Sequence, residues 1–210
     1  MEKEEWQLHA ENMRRLVVSI SEMFDALSMS NSRKEIWILT SSPALGNLTL
    51  RLHHKDNKDS YNKLNNVLSK IYEEREIPIH LICFGNNRHG GKKTISEFYN
   101  EAKEYYLNVR EQLGLSKEQI EKNAEEALDE ARALIRKISR REPIQLRGIP
   151  DISIWAYEIK DSSSESKCRA IFYLNVIETL PIKITAFNVC NTKLAENLIS
   201  IVRAKEDQKN

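Results

Sequence analysis

The residues best equipped for chemistry sit in polar segments that begin where apolar runs stop. Ile77-Pro-Ile-His-Leu-Ile-Cys-Phe-Gly85 ends abruptly in Asn86-Asn-Arg-His-Gly-Gly-Lys-Lys-Thr94. Glycines there let backbone N–H groups converge, and Arg88, Lys92 and Lys93 add positive charge. With Asn86 they compose a loop suited to an anion, running into helix-forming sequence. Ile36-Trp-Ile-Leu39 likewise empties into Thr40-Ser-Ser-Pro-Ala-Leu-Gly-Asn47, where Ser41, Ser42 and Asn47 form turns or hydrogen-bond a ligand. Beyond it, His53, His54 and Lys55 make a third cluster. Histidine serves as nucleophile, acid-base group or metal ligand. No second cluster of His, Cys, Asp or Glu at metal-ligand spacing accompanies the pair, so neither a metal nor a cofactor is expected.

Two familiar chemistries do not fit. The phosphate-binding pattern GxxxxGK(S/T) fails from Gly85, because Gly91 stands where lysine is required, and from Asn86, because Lys93 replaces the hydroxyl residue. Ser41 and Ser42 lack the GxSxG setting of a hydrolase nucleophile. The 210 residues carry 32 basic and 31 acidic side chains, a net charge of +1, so there is no strong nucleic-acid signal. Any anion site must be local. Cys83, Cys168 and Cys190 lie in apolar segments without CxxC spacing and read as reduced core residues. The opening Met-Glu-Lys-Glu-Glu is too acidic for a secretory signal, and no apolar run is of transmembrane length. A cytoplasmic location is expected.

The elements that must position these groups follow from periodicity. Trp6, Met13, Leu16, Val17, Ile20, Phe24 and Leu27 recur at helical spacing. A strand at 36–39, a helix carrying Tyr61, Leu64, Val67, Leu68 and Ile71, and a strand at 77–84 then form a crossover unit. Such units are right-handed with parallel strands, so the turns 40–47 and 85–93 should lie side by side. Residues 95–141 read as an inserted helical hairpin broken at Gly114, with a capping box at Ser116-Lys-Glu-Gln119. Strands at 152–159, 168–177 and 182–189 follow, the first two joined across the serine-rich 161–166 as a hairpin. A last helix presents Leu194, Leu198, Ile201 and Val202, capped near Asn191 or Thr192. The expected fold is a single α/β domain over 1–205, with a mixed, partly parallel sheet flanked by helices and a frayed tail at 206–210.

Helix, strand 35–39, serine-rich turn, helix, then Glu74-Arg-Glu-Ile-Pro-Ile-His-Leu-Ile-Cys83 resembles the opening of a phospholipase D-like half-domain. Pro150-Asp-Ile-Ser-Ile-Trp-Ala-Tyr157, a hydrophilic loop, two strands ending in Phe187-Asn188 and a terminal helix are also similar to that family. The family's catalytic signature is HxKxxxxD. His53 and Lys55 have the HxK spacing, but Ser60 stands where aspartate is required, Asp59 being one residue early. Counting back from Asp161, the histidine and lysine positions hold Ile154 and Ala156. The resemblance therefore implies a non-catalytic binding or regulatory module that pairs with a second copy of itself; it does not select a ligand, and the small anionic ligand expected here is read from the basic loop with Arg88, Lys92 and Lys93. Two other readings stand beside it. One is a phosphate-ester or nucleotide-processing enzyme with His53, His54, Ser41 and Arg88 around one pocket; the other is a protein-interaction scaffold built on the opening helix and the hairpin.

Overall fold

In a computed structural model of the chain, the described residues are 3–27, 32–40, 48, 51–52, 57–73, 76–85, 95–138, 144–147, 152–160, 166–176 and 183–207. In chain order they form α1 (Lys3–Asp25), β1 (Arg33–Thr40), α2 (Asn57–Glu73), β2 (Ile79–Gly85), α3 (Ile95–Leu113) and α4 (Lys117–Ile138). Then come β3 (Ile144–Arg147), β4 (Ile152–Lys160), β5 (Lys167–Val176), β6 (Lys183–Val189) and α5 (Thr192–Asp207). The strands make one six-stranded sheet in the order β3-β2-β1-β4-β5-β6. β3, β2 and β1 are parallel, whereas β4, β5 and β6 continue the sheet antiparallel from β1. The expected mixed α/β sheet and its crossover unit are both present.

β3 is the element that sequence reading passes over. Its four residues, Ile144–Arg147, are too short for an alternation to show, yet they pair with β2 from Ile82↔Ile144 to Gly85↔Arg147. This changes the role of the hairpin. Helices α3 and α4 are not an insertion beside the sheet but the crossover that carries the chain from β2 to a third parallel strand. Gly114, at φ 65°, ends α3: Leu115 N–H donates to the Arg110 carbonyl at 3.0 Å and Gly114 N–H to that of Glu111 at 3.3 Å. Ser116 Oγ then accepts from Gln119 N–H at 3.1 Å, the cap that starts α4.

Strand alternation divides the core. Ile36 and Ile38 of β1, Leu81 of β2, Trp155 of β4, and Ile171 and Tyr173 of β5 face α1, α2 and the hairpin in the larger cluster. Trp37, Leu39, Ile82, Ile154, Ala156, Cys168, Ala170 and Val189 face the other way, under Ala195, Ile199 and Val202 of α5. The sheet is thus covered on both faces, which is why β1 reads as an unbroken apolar run.

Three sequence expectations change here. Of the expected packing face of the last helix, Leu194 and Ile201 are 48% and 49% exposed, whereas Val202 is buried as expected and is joined against the sheet by Ala195 and Ile199. The apolar stripe is wider than the buried one, so periodicity alone selects a face rotated toward solvent. Asn191 is the cap, its Oδ1 accepting from Leu194 N–H at 3.0 Å. The helix runs on through Asp207, so the tail expected to fray from 206 is helical for two more residues. Finally, Cys168 is buried but Cys190 is exposed, so only the former is a core thiol of these two; the Cys83 side chain lies outside the described residues.

The assignment of the α5 face has a direct test. Ile199→Ala should cost about 2–5 kcal/mol in urea unfolding, whereas Ile201→Ala should stay within about 0.5 kcal/mol of the parent. Equal costs would contradict the packing described.

Candidate functional site

Parallel pairing sets the carboxyl ends of β1 and β2 on one edge of the sheet. Their register runs from Ile36↔Ile79 to Thr40↔Cys83, so the two strands finish side by side, and β3 ends beside β2 at Gly85↔Arg147. From this edge the chain enters 41–47 and 86–94. Ser41, Ser42, Asn47, His53, His54, Asn86, Arg88, Lys92 and Lys93 lie outside the described residues, as does the expected apposition of the two turns. What is placed is the pair of strand ends from which those turns depart.

At the same edge, three adjacent strands bury a row of hydroxyls. Leu39↔Ile154 sets Thr40 beside Ser153, and Ser153 lies opposite Tyr173. Thr40, Ser153 and Tyr173 all point to the face covered by α1 and α2, and all are buried. Thr40 Oγ1 and the Tyr173 hydroxyl are 3.5 Å apart. Burial pushes the Tyr173 phenol up, partly offset by Ser153, Thr40 and Trp155 around it. Ser153 Oγ and Trp155 Nε1 are close enough to act on that phenol, yet neither completes a hydrogen bond. Phe24 of α1 packs on Trp155, tilted, with ring centroids 6.3 Å apart. Each unmet buried group costs about 1–3 kcal/mol, a cost that an oxygen acceptor at this edge would relieve.

Two contacts hold the chain where it leaves and re-enters this edge. Arg51, shortly after β1, is drawn onto α4, its Nη1 2.6 Å from Glu126 Oε2 and its Nη2 paired with Glu130. Those carboxylates are one helical turn apart, so they present a two-point dock to a guanidinium. The Tyr61 hydroxyl of α2 is buried close by without a hydrogen-bond partner; burial raises its pKa first, and Glu130 adds to the rise. At the other loop, Arg132 of α4 donates to Ser96 Oγ of α3 at 2.7 Å, where the chain enters α3 after residue 94.

The opposite face carries a second polar group that sequence reading missed. Glu35 and Glu158 are direct cross-strand partners facing α5. Arg203 of α5 pairs with Glu158, lies 3.7 Å from Glu35, and sets its guanidinium 4.7 Å from the centre of the Trp37 ring. His80 stacks on the same indole at 3.8 Å. Arg33 and Lys160 close the rim, at 2.7 Å from Glu35 and 3.2 Å from Glu158. Two carboxylates inside otherwise apolar strands were the available signal. Ile154 and Ala156 also point under α5, into apolar packing.

Among the described residues, no group of three or more His, Cys, Asp or Glu is placed to hold a metal ion, and no helix is long and apolar enough to cross a membrane. The exposed large apolar side chains described are Phe187, Leu194 and Ile201, on β6 and α5. None of these three lies on the opening helix or the hairpin, the elements of the scaffold reading.

The hydroxyl row predicts an alkaline signature. With its native pKa above the ordinary value of 10, Tyr173 contributes stability that is intact below pH 10 and lost as pH climbs toward the native value. Tyr173→Phe should cost about 1 kcal/mol at pH 7 and flatten that alkaline decline, read by urea titration across pH 7–11. A decline as steep as the parent's would place the phenol's titration elsewhere. No protein-family model matches the chain, and no curated protein or solved structure is significantly similar to it.

Proposed function

We propose that the protein is a non-catalytic binding or regulatory module that takes a small anionic ligand at the carboxyl edge of its parallel strands. One observation carries this reading: β1 and β2 end side by side, beside buried Ser153 and Trp155 donors that have no acceptor of their own. Ligands of open α/β sheets gather at such an edge. The basic glycine-rich segment that follows β2 supplies the charge, and the hydroxyl-rich segment after β1 supplies neutral donors. The likeness to a phospholipase D-like half-domain that has lost its signature fits the same reading, as does association with a second copy, which sedimentation would detect.

A phosphate-bearing ligand should stabilise the native state by mass action, by about 2.7 kcal/mol at one hundred times its dissociation constant. Inorganic phosphate, a phosphodiester and a mononucleotide are the first compounds to screen by thermal shift. Arg88→Ala combined with Lys92→Ala should abolish the shift while leaving the unliganded melting temperature unchanged. A shift that survives in this variant rejects the loop, and phosphodiester turnover that disappears in His53→Ala would establish the enzyme reading in its place.

A further inference from the structure

We propose that Glu35, Glu158 and Trp37 form a guanidinium-recognition site filled from within by Arg203, so that a small guanidinium compound competes with the last turn of α5 for it. This site is on the opposite face of the sheet from the edge discussed above and does not rest on that reading.

Two like charges placed directly opposite each other on neighbouring strands oppose pairing. Here both carboxylates are also withdrawn from water, with side chains 10% and 7% exposed; Arg33 and Lys160 each reach one of them from the rim, and Arg203 is the cation that faces both. Trp37 adds an aromatic surface, and carboxylates beside an indole face are the combination that binds a planar, weakly hydrated cation. The indole is itself buried, held by the stacked His80 ring, with no hydrogen-bond partner for its Nε1. The two carboxylates and the indole are thus all placed by strands, with α5 packed over them.

Arg203 fills the site incompletely. A single nitrogen, Nη2, serves both carboxylates, hydrogen-bonding Glu158 and standing 3.7 Å from Glu35, beyond hydrogen-bond reach. The forked pairing that makes guanidinium–carboxylate contacts strong is not used between them. Its side chain remains 34% exposed, and it sits four residues before the end of α5. Displacing it therefore means loosening one terminal turn, while Ala195 and Ile199 keep the rest of the helix on the sheet. A compound free of the helix can present two nitrogens, one to each carboxylate, over the same indole.

Chemical rescue tests this. Arg203→Ala should melt earlier than the parent, and methylguanidinium chloride should restore it saturably, with roughly a tenfold rise in the folded-to-unfolded ratio at ten times the dissociation constant. Methylammonium chloride at equal ionic strength should not, and Arg203→Ala with Glu158→Gln should lose the rescue. If Arg203→Ala responds equally to the two salts, or the double variant is still rescued, the cluster is only a clasp for α5 and the proposal fails. Should Arg203→Ala not fold, amide exchange in the parent decides. Methylguanidinium, but not methylammonium, should accelerate exchange over residues 200–207, and equal rates would overturn the proposal.

Discussion

The burial of β1 on both faces is the constraint from which the rest of this structure follows. Every residue from Lys34 to Thr40 is buried, so each must find an environment matched to its chemistry on one side of the sheet or the other. Ile36 and Ile38 are satisfied by helices α1 and α2, and Trp37 and Leu39 by α5. Because β1 also lies where the parallel strands meet the antiparallel ones, both halves of the sheet take their register from it. A polar residue in this strand cannot simply turn toward solvent. Glu35 is answered by Arg33 and Arg203, and Thr40 by the Tyr173 hydroxyl.

This logic also explains which parts of the fold could be read in advance. Long amphipathic helices and strands with six or more apolar-rich residues declare themselves, because burial of one face imposes a period that local sequence must obey. The crossover from β1 to β2 was legible for the same reason, and with it the common edge where both strands end. β3 was not legible. Four residues between Pro143 and Gly148 carry no period, and their strand identity comes from pairing with β2, a contact with a partner some sixty residues away. Missing it made a connecting hairpin look like an insertion.

Face assignment on α5 failed for a different reason. Leu194, Leu198 and Ile201 form a stripe as regular as Ala195, Ile199 and Val202, and hydrophobicity alone favours the bulkier set, so that only Val202 of the buried stripe was anticipated. The small Ala195 wins the buried position because it lets the helix approach the sheet closely above Cys168 and Ala170, themselves small. Volume matching across an interface is a property of two elements together, and a single segment does not contain it. The polar residues follow the same rule. Glu35, Glu158 and Arg203 are unremarkable singly, and become one cluster only when β1, β4 and α5 are assembled.

The two buried polar groups on this sheet differ in one respect that bears on function. Around Glu35 and Glu158 each carboxylate has a cation, so the interior accounts for its own charge and α5 is held in place as a result. Around Tyr173 the balance is incomplete, since Ser153 Oγ and Trp155 Nε1 are withdrawn from water without an acceptor. Buried donors of this kind are kept at a cost, because each one left unmet has given up its hydrogen bond to water. The group that stays open, on the edge where β1 and β2 both end, calls for something outside the described fold to complete it, which is why the binding role is sought there.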